Sequence, residues 1–121
     1  MALKIKFADS KHTEVEYLNA IESEEYFNGA SRRTLTFDIA RDAIGLDALD
    51  ALCTEDNCKK LELINEEEGI TNIYEGYVLK LKIAVEPVLV DAEKQTYEDR
   101  IKLKLGKRTY IEEQLHALGL L

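Results

Sequence analysis

The sequence predicts a mainly β, α+β domain: a six-stranded, mostly antiparallel barrel or sandwich, with one short helix between the third and fourth strands and a helix at the C-terminal end. Three observations predict it. Apolar and polar residues alternate with period two in six separate stretches. The period changes to a helical one in two places, around residues 44–53 and 109–119. Short turn-rich segments join most of the extended stretches, which favours antiparallel neighbours. With 121 residues the chain suits a single domain spanning residues 1–121, long enough for one core.

The longest strand signal, residues 70–85 (ITNIYEGYVLKLKIAV), is expected to be the central strand. Ile73, Tyr77, Leu79, Leu81, Ile83 and Val85 share one parity, and Lys80 and Lys82 the other. Gly76 within it suggests a bulge or a close backbone approach. At the start of the chain, Leu3, Ile5 and Phe7 alternate with lysines, and Thr13, Val15 and Tyr17 with glutamates, around a turn at residues 8–12. A hairpin that sets Ile5 opposite Val15 also sets Lys6 opposite Glu14 and Lys4 opposite Glu16, so both faces agree on one register.

Residues 19–31 (NAIESEEYFNGAS) break the alternation and are expected to form a polar connection ending in an Asn28-Gly29 turn. A third strand follows, with Leu35, Phe37 and Ile39 inward. Leu46, Leu49 and Leu52 mark the short helix. Residues 60–64 form a fourth strand, with Leu61 and Leu63 matched to Ile73 and Thr71 across the turn Glu66-Glu67-Glu68-Gly69. The polar span 91–99 is expected to be a loop. Ile101, Leu103 and Leu105 make the last strand, ended by Gly106. Thr109 with Glu112 forms a capping box for a final helix whose apolar stripe is Ile111, Leu115 and Leu118, with Gly119 closing it. The stripe needs one partner surface, either its own sheet, which is favoured, or a second copy.

Composition narrows function. The formal net charge of −8 disfavours nonspecific binding to nucleic acid or to an anionic membrane, both of which need surplus Lys and Arg. The apolar runs fall short of a bilayer span, and the first ten residues alternate charged with apolar groups, so a cytoplasmic protein of the host cell is expected. Cys53 and Cys58 are read as two reduced thiols near a helix end rather than a redox pair or half of a zinc site, which needs about four ligands. Asp47 and Asp50 share a helix face, but a cation such as Ca²⁺ wants six or more oxygens in a shaped loop. No metal and no cofactor are expected.

Catalytic residues are not expected either. The sequence lacks a phosphate-binding glycine loop, a nucleophile elbow and a His-Glu-x-x-His motif, and its carboxylates fall in turns and on helix faces. The residues singled out are candidate protein contacts: Tyr26 and Phe27, which either plug the end of the core or project to a partner, and Arg32 and Arg33. The two arginines bind phosphate or a neighbouring subunit's carboxylate, or pair locally with Glu22, Glu24 or Glu25, which is favoured.

Glu25-Tyr26-Phe27-Asn28-Gly29-Ala30-Ser31-Arg32-Arg33-Thr34-Leu35-Thr36-Phe37, Leu46-Asp47-Ala48-Leu49, Tyr74-Glu75-Gly76-Tyr77 and Arg108-Thr109-Tyr110-Ile111-Glu112-Glu113-Gln114-Leu115 together resemble small uncharacterised proteins of phages and prophages of Gram-positive bacteria. Ala30-Ser31-Arg32-Arg33-Thr34-Leu35 and Tyr74-Glu75-Gly76 also resemble, more weakly, the tube fold of phage tail tubes and baseplate hubs. That likeness implies a β-barrel with a flanking helix, ring assembly, and partners among other tail proteins or copies of itself, with association with the virion as the option beside the host cytoplasm. Two features depart from that pattern: the capped C-terminal helix is additional, and no long hairpin is evident in the spacing. The expected function is therefore non-enzymatic, structural or assembly work in a tail or baseplate. The alternatives are a regulatory or inhibitory protein-binding module and, further off, a small-ligand binder or enzyme.

Overall fold

The central strands of two sheets each turn one apolar parity inward, and those side chains join in a single buried core. In the computed structural model, which describes residues 3–27 and 29–120, the described residues form eight strands and three helices. In chain order these are β1 (Leu3–Lys6), β2 (Glu14–Glu16), β3 (Asn19–Phe27), β4 (Ala30–Ala40), α1 (Leu46–Leu52), α2 (Glu55–Cys58), β5 (Lys60–Asn65), β6 (Ile70–Glu75), β7 (Leu79–Asp91), β8 (Thr96–Gly106) and α3 (Tyr110–Ala117). They build two antiparallel four-stranded sheets, ordered β2-β1-β5-β6 and β3-β4-β8-β7.

Ile5, Val15, Leu61 and Leu63 come from the first sheet, Phe7 from just beyond β1, and Leu35, Phe37, Ile39, Ile101, Leu103 and Leu105 from the second; all belong to one buried cluster. The Tyr17 and Phe37 rings meet edge to face across it, 5.5 Å between centroids. The chain changes sheet three times: between β2 and β3, through α1 and α2, and between β6 and β7. Leu49, Cys53 and Cys58 of the helical crossover are buried in the same core.

The expectation of mostly antiparallel strands holds, but six strands in a barrel or sandwich is corrected to eight strands in two open sheets, with three helices rather than two. Each error has a local cause. Residues 19–27, expected as a connection, are an edge strand: Glu22 and Glu25 occupy inward and outward positions and bond to Tyr77 and Lys104, so its pattern is polar where a core strand would be apolar. Asn28 of the expected turn lies outside the described residues.

The expected central strand is two strands. Gly76 adopts φ +84°, a left-handed conformation that suits glycine, and breaks the run between β6 and β7. Consequently Leu61 pairs with Tyr74 and Leu63 with Asn72, one residue off the expected match, and Ile73 points outward. A one-residue slip turns every side chain over, and with Ile73 and Tyr74 adjacent the apolar pattern fits either register. The span expected as a loop, 91–99, is a hairpin tip: Asp91 Oδ1 accepts from the Glu93 and Lys94 amides, and β8 begins at Thr96. The first hairpin has the expected register, Ile5 with Val15 and Lys4 with Glu16.

Candidate functional site

β4 places Arg32 and Thr34 on the side of its sheet away from the core, yet both are buried. Arg32 donates through Nε to the Phe27 carbonyl (3.0 Å) and through Nη1 to the Lys107 carbonyl (2.9 Å). Its fork also grips Glu112, Nη1 to Oε1 at 2.6 Å and Nη2 to Oε2 at 3.0 Å. Gly106 makes room for this: a Cβ there would lie 2.7 Å from Leu81 Cδ1 and 3.3 Å from Arg32 Cδ. Glu112 is also the capping-box glutamate of α3 and accepts from the Thr109 amide at 2.8 Å. The Arg32 guanidinium holds the Glu112 carboxyl down at about 2. Arg32 thus ties the start of β4 to the C-terminal helix, through a partner outside the expected set of glutamates.

Arg33, on the opposite side of β4, does pair with Glu22, at 2.8 Å. Glu22 also accepts from the Tyr77 hydroxyl at 2.6 Å. Burial first, then the Glu22 carboxylate, push the Tyr77 phenol up to about 12. On the outer side, Glu25 bonds to Lys104 (2.8 Å) and Thr34 (2.7 Å), and is held at about 2 by Lys104 first and Thr34 second. Lys104 Nζ sits 5.0 Å over the Phe27 ring. Farther along, Asp38 pairs with Lys102 at 2.5 Å and Arg100 at 3.6 Å. This outer face is a ladder of compensated charges.

The four residues singled out from the sequence therefore gather at one end of β3 and β4 but play different parts. Tyr26 is 74% exposed, Phe27 is half-buried beneath Lys104, Arg33 is half exposed, and Arg32 is turned wholly into its own chain. Cys53 and Cys58 are free and buried; contact with the Cys58 thiol, then burial, keep Cys53 protonated far above the ordinary thiol range. Asp50 pairs with Lys80. Among the described residues, no three His, Cys, Asp or Glu side chains are arranged to hold a metal ion. A shallow groove of about 400 Å³ lies at the other end of β4, lined by Leu3, Glu16, Tyr17, Leu18, Ala40, Asp42 and Ala43.

Two further surfaces stand out, the first of them unforeseen in the sequence. The β7–β8 hairpin continues beyond the last β4 pair, Ala40 with Arg100, as a free two-stranded ribbon from Pro87–Asp99 to Asp91–Thr96. It exposes Leu89, Val90 and, at 59%, Tyr97. The apolar run Val88-Leu89-Val90 ahead of the tip was its one signal in the sequence, because the returning strand opens with the polar Thr96-Tyr97-Glu98-Asp99-Arg100. The second surface is α3. None of its residues is fully buried, and Ile111 and Leu118 are about seven-tenths exposed (69% and 72%) while Leu115 is half-buried, so most of the stripe favoured to pack on its own sheet is left open.

No family model, no curated protein and no solved structure matches the chain. Among the described residues, no helix is long and apolar enough to cross a membrane.

Proposed function

We propose that this protein is a non-enzymatic structural or assembly component of a phage or prophage tail or baseplate, working through contacts with other tail proteins or with itself. The observation that carries the reading is the projecting β7–β8 ribbon. A two-stranded hairpin is marginal by itself in water, and this one displays Leu89, Val90 and Tyr97 beyond the sheet that supports its base. Such an arm gains its apolar burial from another macromolecule. Tyr26 at the other end of the same sheet is a second proposed contact.

The test is co-expression with the products of neighbouring genes, followed by size exclusion with light scattering. Higher-order assembly or capture of a neighbouring tail protein is expected, and replacing Leu89 and Tyr97 together by Ser should weaken it at least tenfold (about 1.4 kcal/mol). A strict monomer that captures none of them overturns the reading. A regulatory or inhibitory binding module is the second reading. The open apolar stripe of α3 favours it, since an amphipathic helix suits a groove on a partner.

A further inference from the structure

The two sheets end in four edge strands, β2, β6, β3 and β7. Three are guarded against pairing in the ways edge strands usually are. β2 is three residues long and two of them are Glu14 and Glu16; β3 carries Glu22, Glu24 and Glu25; β7 carries Lys80, Lys82, Glu86 and Pro87. β6 is different. Ile70 to Tyr74 contain no charge and no proline, and Ile70 and Ile73 are about half exposed.

The free side of β6 can be assigned residue by residue. The Gly76 amide donates to the Lys59 carbonyl at 3.0 Å, in line with a register that runs from Lys60–Glu75 to Asn65–Ile70. Main-chain groups alternate in direction along an antiparallel strand. Ile70, Asn72 and Tyr74 therefore bond toward β5, while Thr71, Ile73 and Glu75 aim their N–H and C=O groups away from it, where the sheet ends.

We propose that β6 pairs with β6 of a second copy, antiparallel about a twofold axis through Ile73, joining two four-stranded sheets into one. That register sets Ile73 opposite its own counterpart and Thr71 opposite Glu75 on either side, so every outward main-chain group of β6 acquires a partner. It brings the two Ile73 side chains together on the outer face, and no like charges stand opposite each other. Self-complementarity singles out this occupant: in this register the outward main-chain donors and acceptors of β6 meet each other and its one charge, Glu75, meets the neutral Thr71. Closed twofold pairing of one patch with itself is the commonest form of homodimer. The pairing goes beyond tail assembly and does not use the ribbon, so replacing Leu89 and Tyr97 by Ser should leave it intact while the Ile73 variants leave capture of a tail protein by the ribbon intact.

The experiment is sedimentation equilibrium of the full chain from about 1 to about 200 µM, with Ile73→Lys and Ile73→Glu variants. A wild-type dimer is expected, weakened about tenfold or more by either variant and restored in their equimolar mixture, where opposite charges meet. Rescue in the mixture separates lost pairing from lost folding. Amide exchange on the wild-type protein needs no variant: Thr71, Ile73 and Glu75 should slow as concentration rises, while outward β3 amides do not. A monomer throughout, a dimer that both variants leave unchanged, or exchange at these three amides that ignores concentration overturns the proposal.

Discussion

Arg32 concentrates what single side chains do here. Its guanidinium is removed from water, its position opened by the missing Cβ of Gly106, and its charge met by the Glu112 carboxylate. A buried cation is costly unless it is paired and fully hydrogen-bonded; two carbonyls and a bidentate carboxylate satisfy this one. Arg32→Met keeps much of the packed stem but leaves those acceptors without their donor. We expect a loss of about 2 kcal/mol in urea denaturation, in the range for hydrogen bonds to charged groups. Amide exchange across residues 110–117 should rise more than exchange in β4. In a double-mutant cycle with Glu112→Ala the two losses should fall well short of additive. The sequence pointed to Arg32 without naming its partner, because Glu112 lies 80 positions away and capping patterns reveal only its local bond to Thr109.

At the scale of elements, α3 forms from its own sequence rather than from burial. Thr109 accepts from the Glu112 amide while Glu112 accepts from the Thr109 amide, and the C-terminal end closes with Gly119 at φ +75° and a Leu120-to-Leu115 bond of 2.8 Å. Both ends were legible, since caps are local. The partner of the stripe was not. Thr109→Ala should therefore speed opening of α3 by an amount equivalent to about 1 kcal/mol. The global melting temperature should fall by only a few degrees, because Glu112 ties the helix to Arg32 but the helix contributes no buried side chain to the core. A melt that falls by many degrees would show α3 to be integral to the cooperative unit. The same logic separates the strands read correctly from those misread. β1, β4, β5 and β8 each present one apolar parity to the core and were legible. β3 and the β7–β8 ribbon bury few apolar side chains, so alternation carries little signal there. β6 shifted register because adjacent Ile73 and Tyr74 made both parities look apolar.

For the whole molecule, an acidic chain holds two carboxylates against cations where strand ends and helix meet. Glu112 and Glu25 both sit near 2 when folded, against an ordinary 4.5. A carboxyl whose folded value is depressed stabilises the fold fully above its unfolded value, and that contribution fades as pH falls toward the folded one. The relevant window therefore runs from about 4.5 down to about 2, and neutral pH lies on its plateau. Screening by solvent tempers the part of Glu25, whose side chain is about one-third exposed (34%). Comparing wild type with Glu112→Gln by urea denaturation at a series of pH values isolates the charge. The amide keeps the size and some of the hydrogen bonding but cannot ionise, so the stability gap should be widest near neutrality, narrow below about 4.5 and nearly close around 2. A gap that stays constant through that window would mean that Arg32 holds α3 by shape and neutral hydrogen bonds, and that the carboxylate's charge contributes nothing to joining the helix to the sheet.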